Sequence, residues 1–218
     1  MSKRSYDQHC AVARALDTVG ERWTLLVVRE LLTGPKRFKD LLEGLPGIGT
    51  NLLAARLKDL EGQGILRRTI LPPPAGSKVY ELTELGLALE PVVMSLSQWG
   101  LKLLGGPRGD DDLRPGWAIV AVRSRLALRA AGDVRETYEF QADEEVFHLR
   151  VEDGEAETRQ GPASDPDLII SGDTHAFLAL ASGQLKLADG LESGSIRFEG
   201  SRDALRRCLK VLGLPAIA

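Results

Sequence analysis

Thr50 and Asn51 head the run TNLLAARLKDLEGQ, in which Leu53, Leu57 and Leu60 recur at helical spacing. The opposite face of that run has the chemistry of a base reader. An Asn amide can bond an adenine through two hydrogen bonds, a Thr methyl can touch thymine, and small residues such as Ala54 and Ala55 let a helix approach closely. Eight cations surround the run: Lys36, Arg37, Lys39, Arg56, Lys58, Arg67, Arg68 and Lys78. They are candidate phosphate contacts, which position a protein on a duplex without specifying sequence. Each has an ordinary alternative as a solvated surface charge, and Arg56 has carboxylates within reach at Asp59 and Glu61.

The flanking elements must hold this face outward. Val12, Leu16 and Val19 predict one helix, and Trp23, Leu26, Val27 and Leu31 a second. Phe38, Leu41 and Leu42 predict a short third, ended by Gly44 and Pro46. Gly49 is a tolerated cap for the helix expected over Thr50–Gln63. Gly64 then leads into two extended runs, Leu66–Leu71 and Lys78–Leu82, joined by the Pro/Gly-rich tip Pro72–Ser77. A helix followed by a hairpin with Arg67 and Arg68 at its base has the layout of a winged helix-turn-helix, with double-stranded DNA as the expected partner. After the hairpin, Thr83-Glu84 starts a helix carrying Leu85, Leu89, Val92, Val93, Leu96 and Trp99, with Pro91 bending it or seated in its first turn.

The chain has 218 residues, 43% hydrophobic and 27% charged, as soluble globular proteins have. Its net charge is −3, unevenly spread. Residues 1–105 carry 14 Lys/Arg against 11 Asp/Glu, and the remainder 14 against 20. That fits a nucleic-acid-facing half joined to one that is not. The Gly/Pro/Asp-rich stretch at 105–112 reads as a linker between domains 1–104 and 113–218. No apolar run is long enough for a membrane helix, and no apolar region follows the basic start, so a cytoplasmic location is expected.

The second domain reads as mixed, giving an α+β chain. A helix is predicted from Gly116 to about Ala131, then strands over Glu136–Ala142, Val146–Glu152 and Ala156–Gln160. Asp153-Gly154 marks a hairpin turn between the last two. A short strand at Leu168–Ser171, a helix at Thr174–Ser182, a strand at Ser195–Glu199 and a helix over Arg202–Leu212 complete it. The sheet is expected to be antiparallel.

Several separated motifs occur together in the first domain: Gly20-Glu21-Arg22-Trp23-Thr24-Leu25-Leu26, Gly34-Pro35-Lys36-Arg37-Phe38, Arg56-Leu57-Lys58-Asp59-Leu60-Glu61 and Tyr80-Glu81-Leu82-Thr83-Glu84-Leu85-Gly86. Over residues 9–104 the chain resembles the HxlR-type bacterial transcriptional regulators. The resemblance implies a homodimer built on the first and last helices, binding a pseudo-palindromic operator. In the second domain, Phe147–Gly154, Asp165–Asp173 and Gly194–Gly200 resemble the sterol carrier protein type of lipid-binding domain. That implies an apolar small molecule between sheet and helices, with Phe140, Phe147, Phe177, Leu180 and Phe198 as candidate walls. A filled core accounts for the same residues.

Cys10 and Cys208 are too far apart in sequence to suggest a disulfide framework or zinc site. Cys208 falls among Leu205, Leu209 and Leu212 and reads as core. Cys10 reads as a small hydrophobe packed in the first helix. The alternative is a redox sensor: an exposed thiol that responds to thiol reagents or electrophiles, with the second domain then a dimerisation or scaffold module. His9, His148 and His175 are isolated, Asp143-Glu144-Glu145 reads as a solvated turn, and neither a P-loop nor a nucleophile elbow occurs. No catalysis, cofactor or metal is expected.

Overall fold

The computed structural model describes residues 5–74, 76–104, 114–126 and 133–215. The chain divides into two compact units, Met1–Val93 and Met94–Ala218. The stretch expected as a linker, 105–112, lies outside the described residues.

The first unit runs α1 (Ala11–Val19), α2 (Thr24–Leu32), α3 (Phe38–Gly44), α4 (Thr50–Gly62), β1 (Leu66–Ile70), β2 (Lys78–Leu82), α5 (Glu84–Leu87) and the start of α6 (Glu90–Leu101). Its core takes Val27, Val28 and Leu31 from α2, Leu41 from α3, and Leu53 and Leu57 from α4. Strands β1 and β2 pair antiparallel from Leu66↔Leu82 to Ile70↔Lys78. Lys36 adds an isolated bridge to β2: its N–H donates to the Tyr80 carbonyl at 3.0 Å and its carbonyl accepts from the Tyr80 N–H at 2.8 Å. The wing is thereby anchored to the segment between α2 and α3.

Three expectations change here. Val12 and Leu16 face out of α1, which buries Ala13 alongside the expected Val19. Trp23 is not part of α2; it precedes the helix in a left-handed conformation, φ +80. The single helix expected after the wing is two, because the chain turns at Ala88 and Leu89 and Pro91 takes the first turn of α6, where its missing N–H costs nothing.

The second unit holds α7 (Pro115–Ser124), β3 (Glu136–Ala142), β4 (Glu145–Glu152), β5 (Glu155–Gln160), β6 (Leu168–Gly172), α8 (Thr174–Ser182), α9 (Leu187–Ser193), β7 (Ile196–Gly200) and α10 (Arg202–Val211). The strand order is β5-β4-β3-β6-β7. Asp153 and Gly154 turn β4 into β5 with φ of +53 and +80, as a two-residue hairpin of this hand requires.

The sheet is mixed, which corrects the antiparallel expectation: β3 and β6 run parallel, Tyr138↔Leu168 to Ala142↔Gly172. The β4–β5 hairpin and residues 161–167 together act as the crossover that parallel strands need. Two fastenings set where that crossover ends. The Ala163 N–H donates to Glu139 Oε2 at 2.8 Å, and Glu139 is only 4% exposed. Asp167 donates its N–H to the Thr137 carbonyl at 2.9 Å and accepts the Thr137 N–H on Oδ2 at 2.8 Å. Chain therefore returns to the end where β3 began, and β6 must run alongside it. The inward residues of the sheet, Tyr138, Phe140, Phe147 and Leu168, form one core with Phe177 of α8 and Leu205 of α10.

Candidate nucleic-acid interface

Helix α4 presents two faces. Leu53, Leu57 and Leu60 are buried, while Thr50, Asn51, Ala54, Ala55 and Lys58 are exposed. Gly49 caps the helix in an extended conformation, and its carbonyl accepts the Leu53 N–H at 2.9 Å. The first two turns thus offer an amide, a hydroxyl and two methyl-sized residues, a surface of the size and chemistry that enters a major groove.

The eight cations divide by their partners. Lys39 pairs with Glu43 at 3.5 Å. Arg67 pairs with Glu81, its register partner across the hairpin, at 2.7 Å. Arg68 reaches Glu61 at 3.1 Å and lies over the Tyr80 ring, 5.4 Å from its centroid. Arg56 bridges Glu21 at 3.2 Å and Asp59 at 3.3 Å with 19% of its side chain exposed. Of the two partners expected for Arg56, Asp59 is engaged, whereas Glu61 is taken by Arg68. Among the described residues Lys36, Arg37, Lys58 and Lys78 have no carboxylate partner. A phosphate contact from the paired cations must exchange one ion pair for another, and these are surface pairs worth about 0.2–1 kcal/mol. One further exposed cation is Arg22, whose guanidinium carbon lies over the Trp23 ring, 5.4 Å from its centroid. No periodicity singles it out, because its place over the Trp23 ring depends on the left-handed turn there.

Cys10 is exposed, not packed as a small hydrophobe. It stands at the N-cap position of α1 without a side-chain hydrogen bond to the helix, and the nearby backbone N–H groups of Ala13 and Val12 lower the thiol's pKa below the ordinary value. Anything negative at a helix start is favoured by the unpaired N–H groups and the helix dipole. Cys208 lies in the core as expected, and burial pushes its thiol up, so it stays protonated.

Of the five candidate wall residues in the second unit, Phe140, Phe147 and Phe177 are buried against one another. Phe140 stacks on Phe147 with ring centroids 5.0 Å apart and meets Phe177 edge-on at 6.3 Å. Leu180 and Phe198 are half-buried against the same core. Phe140, Phe177 and Leu180 border a gap of about 20 Å³, also lined by Leu209 and Leu212, whereas Phe147 and Phe198 lie away from it. That is room for one water, far below the roughly 300–1,000 Å³ of a small-molecule site. Among the described residues, the rings of Phe140 and Phe177 and the Leu180 side chain border this gap.

The family model described as HxlR-like helix-turn-helix matches residues 18–106. Residues 120–217 match the model described as alkyl sulfatase C-terminal, where the sequence resemblance pointed to sterol carrier domains. The HTH-type transcriptional regulator YodB of Bacillus subtilis (strain 168) is 41% identical over 85 residues, 39% of this chain and 76% of that protein. The uncharacterized HTH-type transcriptional regulator YvaP of the same organism is 36% identical over 86 residues, 39% of this chain and 80% of its own length. A solved structure, the reduced form of YodB from B. subtilis, is 36% identical across 45% of this chain and 97% of that one, with a TM-score of 0.39. The identities to YodB and YvaP, each covered over more than two thirds of its length, together with the family-model match, have one consequence: the chain belongs to the HxlR-like helix-turn-helix family of transcriptional regulators.

Proposed function

We propose that this protein is a homodimeric regulator that reads a pseudo-palindromic operator with the first two turns of α4, in the major groove of double-stranded DNA. The observation that carries this reading is the exposure of Thr50, Asn51, Ala54, Ala55 and Lys58 on one face of a helix whose other face is core. The wing and Lys36, Arg37, Lys58 and Lys78 supply phosphate contacts. Self-association is supported by the apolar residues exposed on α1, where Val12 is 67% exposed, and by Val92, Leu96, Trp99 and Leu103, at three- and four-residue spacing along α6 and past its end. The test is selection of bound duplexes from a randomised pool. An inverted repeat with half-site centres one helical turn, roughly 34 Å, or a multiple apart is the expected product. Enrichment of a single non-repeated site, or no enrichment, overturns the reading.

Two readings of control follow. In one, an apolar small molecule binds the second unit. The apolar lining near Phe177 supports it, but the ligand must force the core open to gain space. In the other, Cys10 senses thiol reagents or electrophiles, and the second unit is a dimerisation or scaffold module. The exposed thiol with its lowered pKa favours the second.

A further inference from the structure

Residues 21–23 approach α4 and the turn before it at two places. The Glu21 carboxylate meets Arg56, in the second turn of α4, at 3.2 Å. The Trp23 ring reaches the turn before α4: its Cη2 lies 3.7 Å from where a Cβ on Gly47 would stand, and Gly47, at φ +87, is three residues ahead of Thr50. Trp23 itself holds φ +80, a conformation that bulky side chains rarely adopt. Backbone outliers of this kind persist where the surroundings over-determine them, and they concentrate at functional positions. What this one achieves is visible in its neighbour. With Trp23 turned this way, one part of its ring lies near the turn into α4, and the guanidinium of Arg22 rests 5.4 Å from the ring centroid. Arg22 is exposed and, among the described residues, pairs with no carboxylate.

We propose that Arg22 is a DNA phosphate contact, held near the Trp23 ring beside the turn that leads into α4. The proposal rests on the reading that α4 enters the groove. A groove-bound helix is flanked by phosphates, so an unpaired cation beside the turn that leads into it meets the backbone next to the bases being read. Arginine suits the position better than lysine. A planar guanidinium can stack on an indole and still offer its outer N–H groups to phosphate oxygens, whereas an ammonium has no face to stack. Unlike Lys39, Arg56, Arg67 and Arg68, Arg22 surrenders no ion pair when it binds.

The test is a salt titration of full-length protein on a random-sequence duplex several helical turns long, alongside the selected operator. Arg22→Ala should lower the slope of log affinity against log salt by about 0.9 per bound protomer and weaken both duplexes by the same factor. Arg22→Lys should keep most of the slope with weaker binding. Thermal melting of each variant should match the parent, because the side chain is exposed. Three results overturn the proposal. Unchanged slope and affinity in Arg22→Ala, while Lys58→Ala lowers the slope, removes Arg22 alone. A lower melting temperature with weaker binding and no change in slope makes it a structural residue. An absence of salt-dependent duplex binding by the parent protein removes the groove reading itself.

Discussion

Arg56 and Glu21, 35 positions apart in sequence, meet at 3.2 Å and fix the start of α2 against α4. The arginine also holds Asp59 on its own helix, and its Nε is buried without a partner. Its charge is therefore committed to fold geometry, while Lys58, its exposed neighbour, is not. Arg56→Ala is expected to cost about 1 kcal/mol of stability and to leave the salt slope nearly intact. Lys58→Ala should spare stability and lower the slope by about 0.9 per protomer. Denaturant melts and salt titrations of the two variants separate these roles, and a slope loss in Arg56→Ala equal to that in Lys58→Ala contradicts the assignment.

Asn51 and Lys36 should differ in kind. Asn51 stands exposed on the reading face, and Lys36 lies where the chain bridges to Tyr80 of the wing. Asn51→Ala is expected to cost about 1–3 kcal/mol on an operator with adenine at the contacted position and much less on operators lacking it. Lys36→Ala should weaken every duplex by a similar factor. Competition binding across single-base operator variants checks both, and identical profiles would show that Asn51 does not read a base.

The reading helix and the wing were legible because their signals are local. Leu53, Leu57 and Leu60 mark one helical face, and the turn residues between two short β-prone runs mark a hairpin. Asp153-Gly154 marked another hairpin for the same reason. Partners were harder to read. The hairpin register puts Arg67 opposite Glu81, which counting back from the turn could have found, but the Arg56–Glu21 pair depends on how α2 packs on α4. Strand periodicity says which face of β6 is buried and nothing about its neighbour, so the parallel pairing with β3 was hidden. Helix α9 was missed because its seven residues, LADGLES, carry a central glycine and too few turns for periodicity to register. Residues outside a core look like core residues in sequence: Val12 and Leu16 share a helical face with Val19, yet only Val19 is buried.

Those exposed apolar positions make a prediction about assembly. Trp99 is 58% exposed and Leu103 65%, in line with Val92 and Leu96 along α6 and just past its end. Substituting Leu96→Glu together with Trp99→Ser should shift the protein to monomer in light scattering without lowering the stability of the first unit's core. DNA affinity should fall with dimerisation, since two half-sites then bind independently. A variant that stays dimeric would place the interface elsewhere.

Cys10 and Cys208 should behave as opposites toward iodoacetamide. The thiolate is the nucleophile, and N–H groups at the start of α1 lower the Cys10 pKa, so its labelling should reach half its limiting rate at a lower pH than that of a free cysteine thiol. Cys208, buried with its pKa raised, should label only after unfolding. Under the sensor reading, treating the protein with N-ethylmaleimide weakens operator binding, and Cys10→Ser removes that response. Slow Cys10 labelling with the pH dependence of a free thiol would return Cys10 to an ordinary surface position.

Phe177 decides between a filled core and a ligand site in the second unit. Its ring is buried edge-on to Phe140, beside a gap of about 20 Å³. Truncating a buried Phe to Ala costs about 3–5 kcal/mol, and a carboxylate in its place adds the cost of burying an unpaired charge. Phe177→Asp is therefore expected to abolish the cooperative melting transition of the second unit, and Phe177→Leu to lower it by a few degrees while the fold survives. A ligand pocket predicts otherwise. There the wall is wetted when empty, Phe177→Asp folds, and native mass spectrometry of the freshly purified parent protein shows an apolar adduct that the variant loses. Phe140 stacked on Phe147 and edge-on to Phe177 surrounds the ring with apolar groups that offer a carboxylate no partner, so unfolding is the expected outcome.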